Sequence, residues 1–256
     1  DAVTSLRTYQ TDNKKHIYEA WHEGNRSVML QMPTGTGKTR LFVSVVKDLH
    51  MWAVKHKSPV RVLLLAHRKE LIDQISNNVG QKYGLAHGLI VSNNDEERHF
   101  PVQVGSVPTL CRRLEKWSDM DFDVIIIDEA HHVKAESYKK IIDQYPSAKI
   151  LGVTATPCRL SGAGFKPEFD LLIASQPVEQ FINDGHLSNY EYYSIKPDSR
   201  LQCEINNIAV GFDGDYSEAG LSDCLDKEKI RAKIVDTYNQ FAKGKKGLVY
   251  TINRAH

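Results

Sequence analysis

The chain has 256 residues, 41% hydrophobic and 25% charged, the balance of a soluble globular protein with core enough for one large domain or two small ones. A net charge of +1 gives no basic excess to announce nucleic acid and no acidic excess, although a local grip on a few phosphates stays open. Four scattered cysteines (Cys111, Cys158, Cys203, Cys224) form no CxxC pair, which argues against a zinc site or a disulfide framework and for a reducing, cytoplasmic setting. No apolar stretch approaches the roughly 18 residues of a membrane span, and no signal peptide is visible. Because the chain starts at Asp1 and stops at His256 inside a strand-like run, we expect a piece of a longer protein.

Taken in chain order, short apolar, β-branched runs fall at 27–32, 60–66, 88–91, 102–105, 122–128 and 149–154, with amphipathic stretches at 38–56, 68–79, 106–117 and 135–144. Continuous apolar runs separated by helical segments predict parallel strands buried on both faces and joined by crossover helices. Val124-Ile125-Ile126-Ile127 shows no alternation, as befits a central parallel strand. The fold expected is α/β, a doubly wound parallel sheet. After Pro157 glycines and prolines accumulate (Gly162, Gly164, Pro167, Pro177), followed by a short helix near 177–184. Residues 187–197 read as a strand placing Tyr190 and Tyr192 on one face and Tyr193 on the other, residues 198–224 as polar and irregular, 225–243 as a helix and 245–251 as a new strand. The last pair predicts the opening of a second α/β domain. The division expected is 1–198 for the first domain, 199–224 for a linker and 225–256 for the start of the second.

The stretch QMPTGTGKT, residues 31–39, follows the first apolar run and precedes a helical one. A phosphate-binding loop needs glycines so that backbone N–H groups can curl inward, and a helix start that presents its positive end. It also needs a lysine for the β- and γ-phosphates and a hydroxyl for Mg²⁺. Gly35, Gly37, Lys38 and Thr39 supply these parts, with Pro33, Thr34 and Thr36 completing the loop; Met32 stands where the strict pattern has its first glycine. The competing interpretation is a Gly/Thr turn between two elements.

A second stretch weighs against the plain turn. VIIIDEAHH, residues 124–132, delivers Asp128 and Glu129 at the carboxyl end of a buried strand, where open α/β sheets bind ligands. Asp128 can hold Mg²⁺ through water, and Glu129 can orient and polarise an attacking water. A solvated helix cap is the alternative. His131 and His132 lack the HExxH spacing of a metal site.

In order, MPTGTGKT, DEAH and GVTATP (152–157) resemble the superfamily 2 DEAD/DEAH-type helicases, in particular bacterial and phage DNA-repair and restriction-type translocases. LRTYQ (6–10) resembles the adenine-reading Q motif, LLLAHRKELIDQ (63–74) and VGSVPTL (104–110) resemble nucleic-acid-contacting segments, and KGLVYT (246–251) the first strand of a second motor domain. In the second of these, Ala66-His67 replace the family's usual start. The resemblance implies a RecA-like first motor domain, ATP and Mg²⁺ as cofactors, and ATP hydrolysis driving movement on nucleic acid, DNA before RNA, without sequence preference. It implies that Lys38, Asp128 and Glu129 are catalytic, that Arg7 stacks on the base while Gln10 bonds its edge, and that Thr39 and Asp128 hold the metal. His131, Thr154 and Thr156 would couple nucleotide state to the nucleic acid, which Arg68, Lys69, Gly105, Ser106 and Thr109 would contact at its backbone. Tyr190, Tyr192 and Tyr193 read as packed rather than as base-stacking. The γ-phosphate arginines of the family's second domain are missing, and such arginines contribute about 10³–10⁵ in rate; weak ATPase activity is expected of this stretch alone. Two alternatives stay open: the motor subunit of a restriction system, and a nucleotide-gated interaction module without unwinding.

Overall fold

A computed structural model describes residues 5–92, 96–132, 136–156, 168–191, 207–209, 216–225 and 228–249. Cys158, Cys203, Gly162, Gly164, Tyr192 and Tyr193 lie outside the described residues, as do 250–251 of the last expected strand. The chain divides into two compact units, Asp1–Arg159 with Ala163–Asn189, and Leu160–Gly162 with Tyr190–His256.

The first unit is a seven-stranded sheet, parallel in every pairing. Its strands are β1 (Ser27–Gln31), β2 (Val62–Ala66), β3 (Gly88–Ile90), β4 (Val102–Ser106), β5 (Val124–Asp128), β6 (Lys149–Thr154) and β7 (Leu171–Ala174), in the spatial order β3-β4-β2-β5-β6-β1-β7. The helices are α1 (Thr8–His22), α2 (Lys38–His56), α3 (Lys69–Asn77), α4 (Val107–Arg112), α5 (Glu136–Gln144) and α6 (Val178–Asn183). A π-turn at Asn78–Lys82 extends α3.

The absence of alternation in the apolar runs has its cause in two cores. Val124 and Ile126 of β5 join one core with Val28, Leu30, Leu41, Phe42, Ile72 and Phe181, while Ile125 and Ile127 join the other with Met29, Leu110, Trp117, Tyr138 and Phe169. Successive strand residues point to opposite faces, so a sheet covered on both sides selects apolar residues at every position.

Two elements of the first unit escaped the sequence. α1 buries only Tyr9, Gln10, Asn13, Ile17 and Ala20, so its apolar signal is thin. β7 buries only Ile173 of its four residues and sits at the sheet edge. Two expected strands are corrected: residues 187–191 and 245–249, the described parts of both, form no strand. Tyr190, Leu248 and Val249 match strand composition, but composition alone makes no ladder. In the second unit, helices run over Glu218–Leu225 and Glu228–Phe241, so the stretch expected to be irregular up to 224 ends in a helix. Among the described residues, no helix is long and apolar enough to cross a membrane.

Gly152 in β6 is set by close packing. A Cβ there would lie 2.5 Å from Phe169 Cζ and 2.8 Å from the Ala130 Cβ just beyond β5. Gly152→Ala is expected to cost about 1–3 kcal/mol, the range for overpacking a filled core. Urea unfolding checks this.

Candidate nucleotide site

β6 separates β1 from β5, and the register aligns their carboxyl ends: Gln31 pairs with Thr154, and Asp128 with Val153. The loop after β1 and the acidic turn after β5 therefore emerge on one edge of the sheet, two strand spacings apart.

The loop from Pro33 to Gly37 reverses the chain with Gly35 and Gly37 both at φ 85°, a left-handed conformation that glycine adopts without strain. A Cβ on Gly37 would also collide with Gln10 Nε2 at 2.5 Å. Thr36 is buried, and its hydroxyl donates to the Pro33 carbonyl at 2.6 Å, closing the loop on itself. Thr34 and Gly35 are exposed, while Lys38 and Thr39 are half-buried at the start of α2. No side chain caps α2, and its first turn holds no acidic residue. Its positive end is thus not neutralised by the helix's own sequence, the arrangement that binds phosphate. Lys38 Nζ donates to the Met32 carbonyl at 3.4 Å, and the Met32 amide donates to the Thr154 carbonyl at 2.9 Å.

The start of α1 holds this loop from outside. The Tyr9 hydroxyl donates to the Thr36 carbonyl at 2.8 Å, and Gln10 Nε2 donates to the same oxygen at 2.9 Å and to the Gly37 carbonyl at 3.3 Å. Gln10 Oε1 accepts from the Arg7 amide at 3.0 Å, and Arg7 Nη1 donates to the Tyr9 oxygen at 3.1 Å. Both ends of the Gln10 amide are therefore engaged within the protein, on the loop and on the helix start. Tyr9 was not singled out in the sequence, although its place beside Gln10 in LRTYQ was the available signal.

On the other side of β6, Asp128 is only 5% exposed, and its Oδ1 accepts from the Glu129 amide at 3.0 Å. Glu129 has φ 52°, a left-handed conformation that costs a non-glycine residue on the order of 1–3 kcal/mol. Burial, then the neighbouring Glu129 charge, pushes the Asp128 carboxyl up to about 6; the Glu129 amide and the Lys38 ammonium act the other way.

His131 bridges the turn to β6. Its Nδ1 lies 3.3 Å from Glu129 Oε2 and 3.1 Å from Thr154 Oγ1, and Thr154 Oγ1 accepts from the Thr156 amide at 3.2 Å. Thr154 thus reaches Glu129 through His131 rather than directly.

Among the described residues, no three His, Cys, Asp or Glu side chains gather as a metal cage. Mg²⁺ fits such a place, because it keeps several waters and takes one or two protein oxygens together with substrate phosphates. Asp128 and Thr39 offer hard oxygen donors of that kind.

The residues expected to meet nucleic acid sit further along the same edge, beyond β5. β2 and β4 are neighbours, with Ala66 opposite Ser106. Arg68 and Lys69 at the start of α3 are exposed, and Ser106 at the start of α4 is half-buried. Gly105 and Thr109 are buried, so the accessible part of this group is Arg68, Lys69 and Ser106.

Residues 4–159, more than half of the chain, match the family described as Type III restriction enzyme, res subunit. Over 222 residues the chain is 36% identical to a 51.5 kDa protein of Lactococcus phage (isolate 7-9), covering 87% of this chain and 43% of that one. It is 26% identical to the putative ATP-dependent helicase IRC3 of Saccharomyces cerevisiae, covering 98% of this chain and 37% of that one. Its fold superposes with a TM-score of 0.56 and 17% identity on a nuclease-deletion mutant of the Type ISP restriction-modification enzyme LlaGI, solved with a DNA substrate mimic, over 92% of this chain and 24% of that one. The chain thus spans less than half the length of the two sequence relatives.

Proposed function

Because the chain belongs to the family of the Type III restriction enzyme res subunit, within the superfamily 2 helicases, we propose that it is the ATP-binding motor domain of an ATP-driven nucleic-acid translocase. The reading is carried by one observation: the register across β6 brings the loop after β1 and the acidic pair after β5 out at the same carboxyl edge of the sheet.

In this reading Lys38 and the first-turn amides of α2 hold the β- and γ-phosphates, and the loop from Pro33 to Gly37 wraps them. Thr39 and Asp128 hold Mg²⁺, which when bound neutralises phosphate charge. Glu129 orients the attacking water and draws its proton. Arg7 and Gln10 flank the base side. His131, Thr154 and Thr156 carry the state of the acidic turn toward the edge where Arg68, Lys69 and Ser106 meet a phosphate backbone. DNA is the preferred track, supported by the DNA-bound LlaGI relative. Backbone contacts carry no sequence information, so binding is sequence-independent and weakens with salt. We assign residues 1–198 to this domain, 199–224 to a linker and 225–256 to the start of a second motor domain; the division between compact units falls a few residues earlier, at Asn189.

The test is steady-state ATP hydrolysis by the full-length protein that carries this stretch, with and without DNA. Hydrolysis stimulated by DNA of any sequence is the expected result, and DNA-independent turnover sinks the proposal. Calorimetry of Lys38→Ala tests the pocket itself. Losing a cation from two phosphates is expected to weaken Mg²⁺–ATP binding about 100-fold, the scale of one or two hydrogen bonds to charged groups. Unchanged affinity would remove Lys38 from the site.

A further inference from the structure

The turn that follows α6 stands against the phosphate loop and has no part in the reading above. It is tightly held: the Phe181 carbonyl accepts from the His186 amide at 2.8 Å and from the Leu187 amide at 3.0 Å, and Gly185 takes φ 71°, the left-handed conformation in which glycine ends a helix. Leu187 rests on the loop itself, its Cδ2 3.1 Å from the place a Cβ on Gly35 would occupy. His186 lies against Tyr9 with ring centroids 5.0 Å apart, and Tyr9 in turn meets Phe181 edge-on at 4.8 Å. Tyr9 and Phe181 are buried, whereas His186 is half-buried. The imidazole is thus the outer ring of a cluster rooted in the core, and the Tyr9 hydroxyl ties that cluster to the loop through the Thr36 carbonyl.

Topology says which part of a nucleotide this ring faces. The acidic turn lies to one side of β1, beyond β6, and β7 lies to the other, its Ala174 level with Gln31 of β1. A triphosphate whose terminal end points from the loop toward the acidic turn sends its sugar and base the opposite way, toward β7. Two groups stand there around Tyr9: exposed Arg7, bonded to its hydroxyl oxygen, and His186, packed on its ring. Among the described residues neither nitrogen of the His186 ring has a hydrogen-bond partner. A planar ring already fixed in place is therefore left available to a ligand, and little freedom is lost when one binds.

We infer that His186 is a base-contacting residue of the nucleotide site: its imidazole packs against the purine of the bound ATP, on the β7 side of the phosphate loop. Aromatic side chains hold bases in this way because every base offers a π-face. The inference rests on the nucleotide-site reading and deepens it, adding a residue that holds the base rather than the phosphates. The competing account is a ring at a helix end that only covers Tyr9.

The test compares ligands with and without a base, in the full-length protein that carries this stretch. In His186→Ala the calorimetric affinity for Mg²⁺–ATP is expected to fall about tenfold, the scale of one base–aromatic stack. Affinity for Mg²⁺–tripolyphosphate, which has no base, is expected to stay at the parent's level. His186→Phe keeps an aromatic face and is expected to keep most of the ATP affinity. Equal losses for both ligands in His186→Ala mean that the turn acts through Leu187 on the loop, and unchanged affinity for both means a ring that only covers Tyr9; either result overturns the inference. Photolabelling of the parent, with an ATP carrying a photoreactive azide on its purine, needs no substitution. The label is expected on the peptide that holds His186, and its absence there overturns the inference too. Lys38→Ala separates the two levels, since it is expected to weaken both ligands. A parent that binds neither ligand, or a Lys38→Ala that binds both as the parent does, overturns the site itself.

Discussion

Glu129→Gln is expected to lower kcat for ATP hydrolysis by about 10²–10⁴ while leaving Mg²⁺–ATP affinity nearly unchanged, the range for losing a positioned general base. The change keeps side-chain size and removes the charge that draws the proton from water. Glu129 suits that task because its backbone is held at φ 52° by the turn after β5, which fixes the direction in which its side chain leaves the strand end. His131 Nδ1 at 3.3 Å from Glu129 Oε2 adds a second constraint. A stopped-flow burst experiment with binding measured in parallel checks the split. Turnover within a few-fold of the parent would take Glu129 out of the chemistry.

Asp128→Asn is expected to act in two opposed directions. Turnover falls by orders of magnitude, since the amide holds Mg²⁺ poorly. Stability without metal rises, because the native carboxylate is buried at a cost. The sign follows from linkage: with its folded value raised from 3.8 to about 6, Asp128 binds its proton more tightly in the folded protein than in the unfolded chain. The parent's stability therefore falls as pH climbs from about 4 to about 6 and stays reduced above that. The full shift corresponds to at most about 3 kcal/mol, an upper bound on what the asparagine regains above pH 6. Thermal melts in a chelator across that interval check it: the variant should exceed the parent at neutral pH, and the gap should close toward pH 4. A variant less stable than the parent at neutral pH would contradict the buried-charge account. Below about pH 6 the same proton should compete with Mg²⁺ in the parent.

The sheet was legible wherever both of its faces are covered. Val124–Ile127 and Leu63–Leu65 are apolar at every position because each residue enters a core, and such runs are unambiguous once helical segments separate them. β7 was not legible because it is an edge strand with Leu171 and Leu172 exposed. α1 was hidden because only Tyr9, Ile17 and Ala20 of it join the apolar core, while its other two buried residues, Gln10 and Asn13, bond to the loop and to Ser175. At the candidate site, the hydrogen-bond partners of the residues could not be read. Nothing in the spacing of LRTYQ says that the Tyr9 hydroxyl and the Gln10 amide converge on the Thr36 carbonyl, because that meeting depends on how α1 crosses the loop. Likewise, the route from Thr154 to Glu129 through His131 exists only because β5 and β6 are adjacent.

The bare amino end of α2 has a further consequence. A helix of this length whose opening turn carries neither a capping side chain nor a counter-charge enters the folded state with an electrostatic debt at one tip. Whatever anion settles that debt stabilises the whole domain, because α2 supplies Leu41, Phe42, Val43, Val45 and Val46 to the core. Nucleotide, or even plain sulfate, should therefore act as a folding cofactor as well as a fuel, and the resting protein should be most fragile in dilute buffer without either.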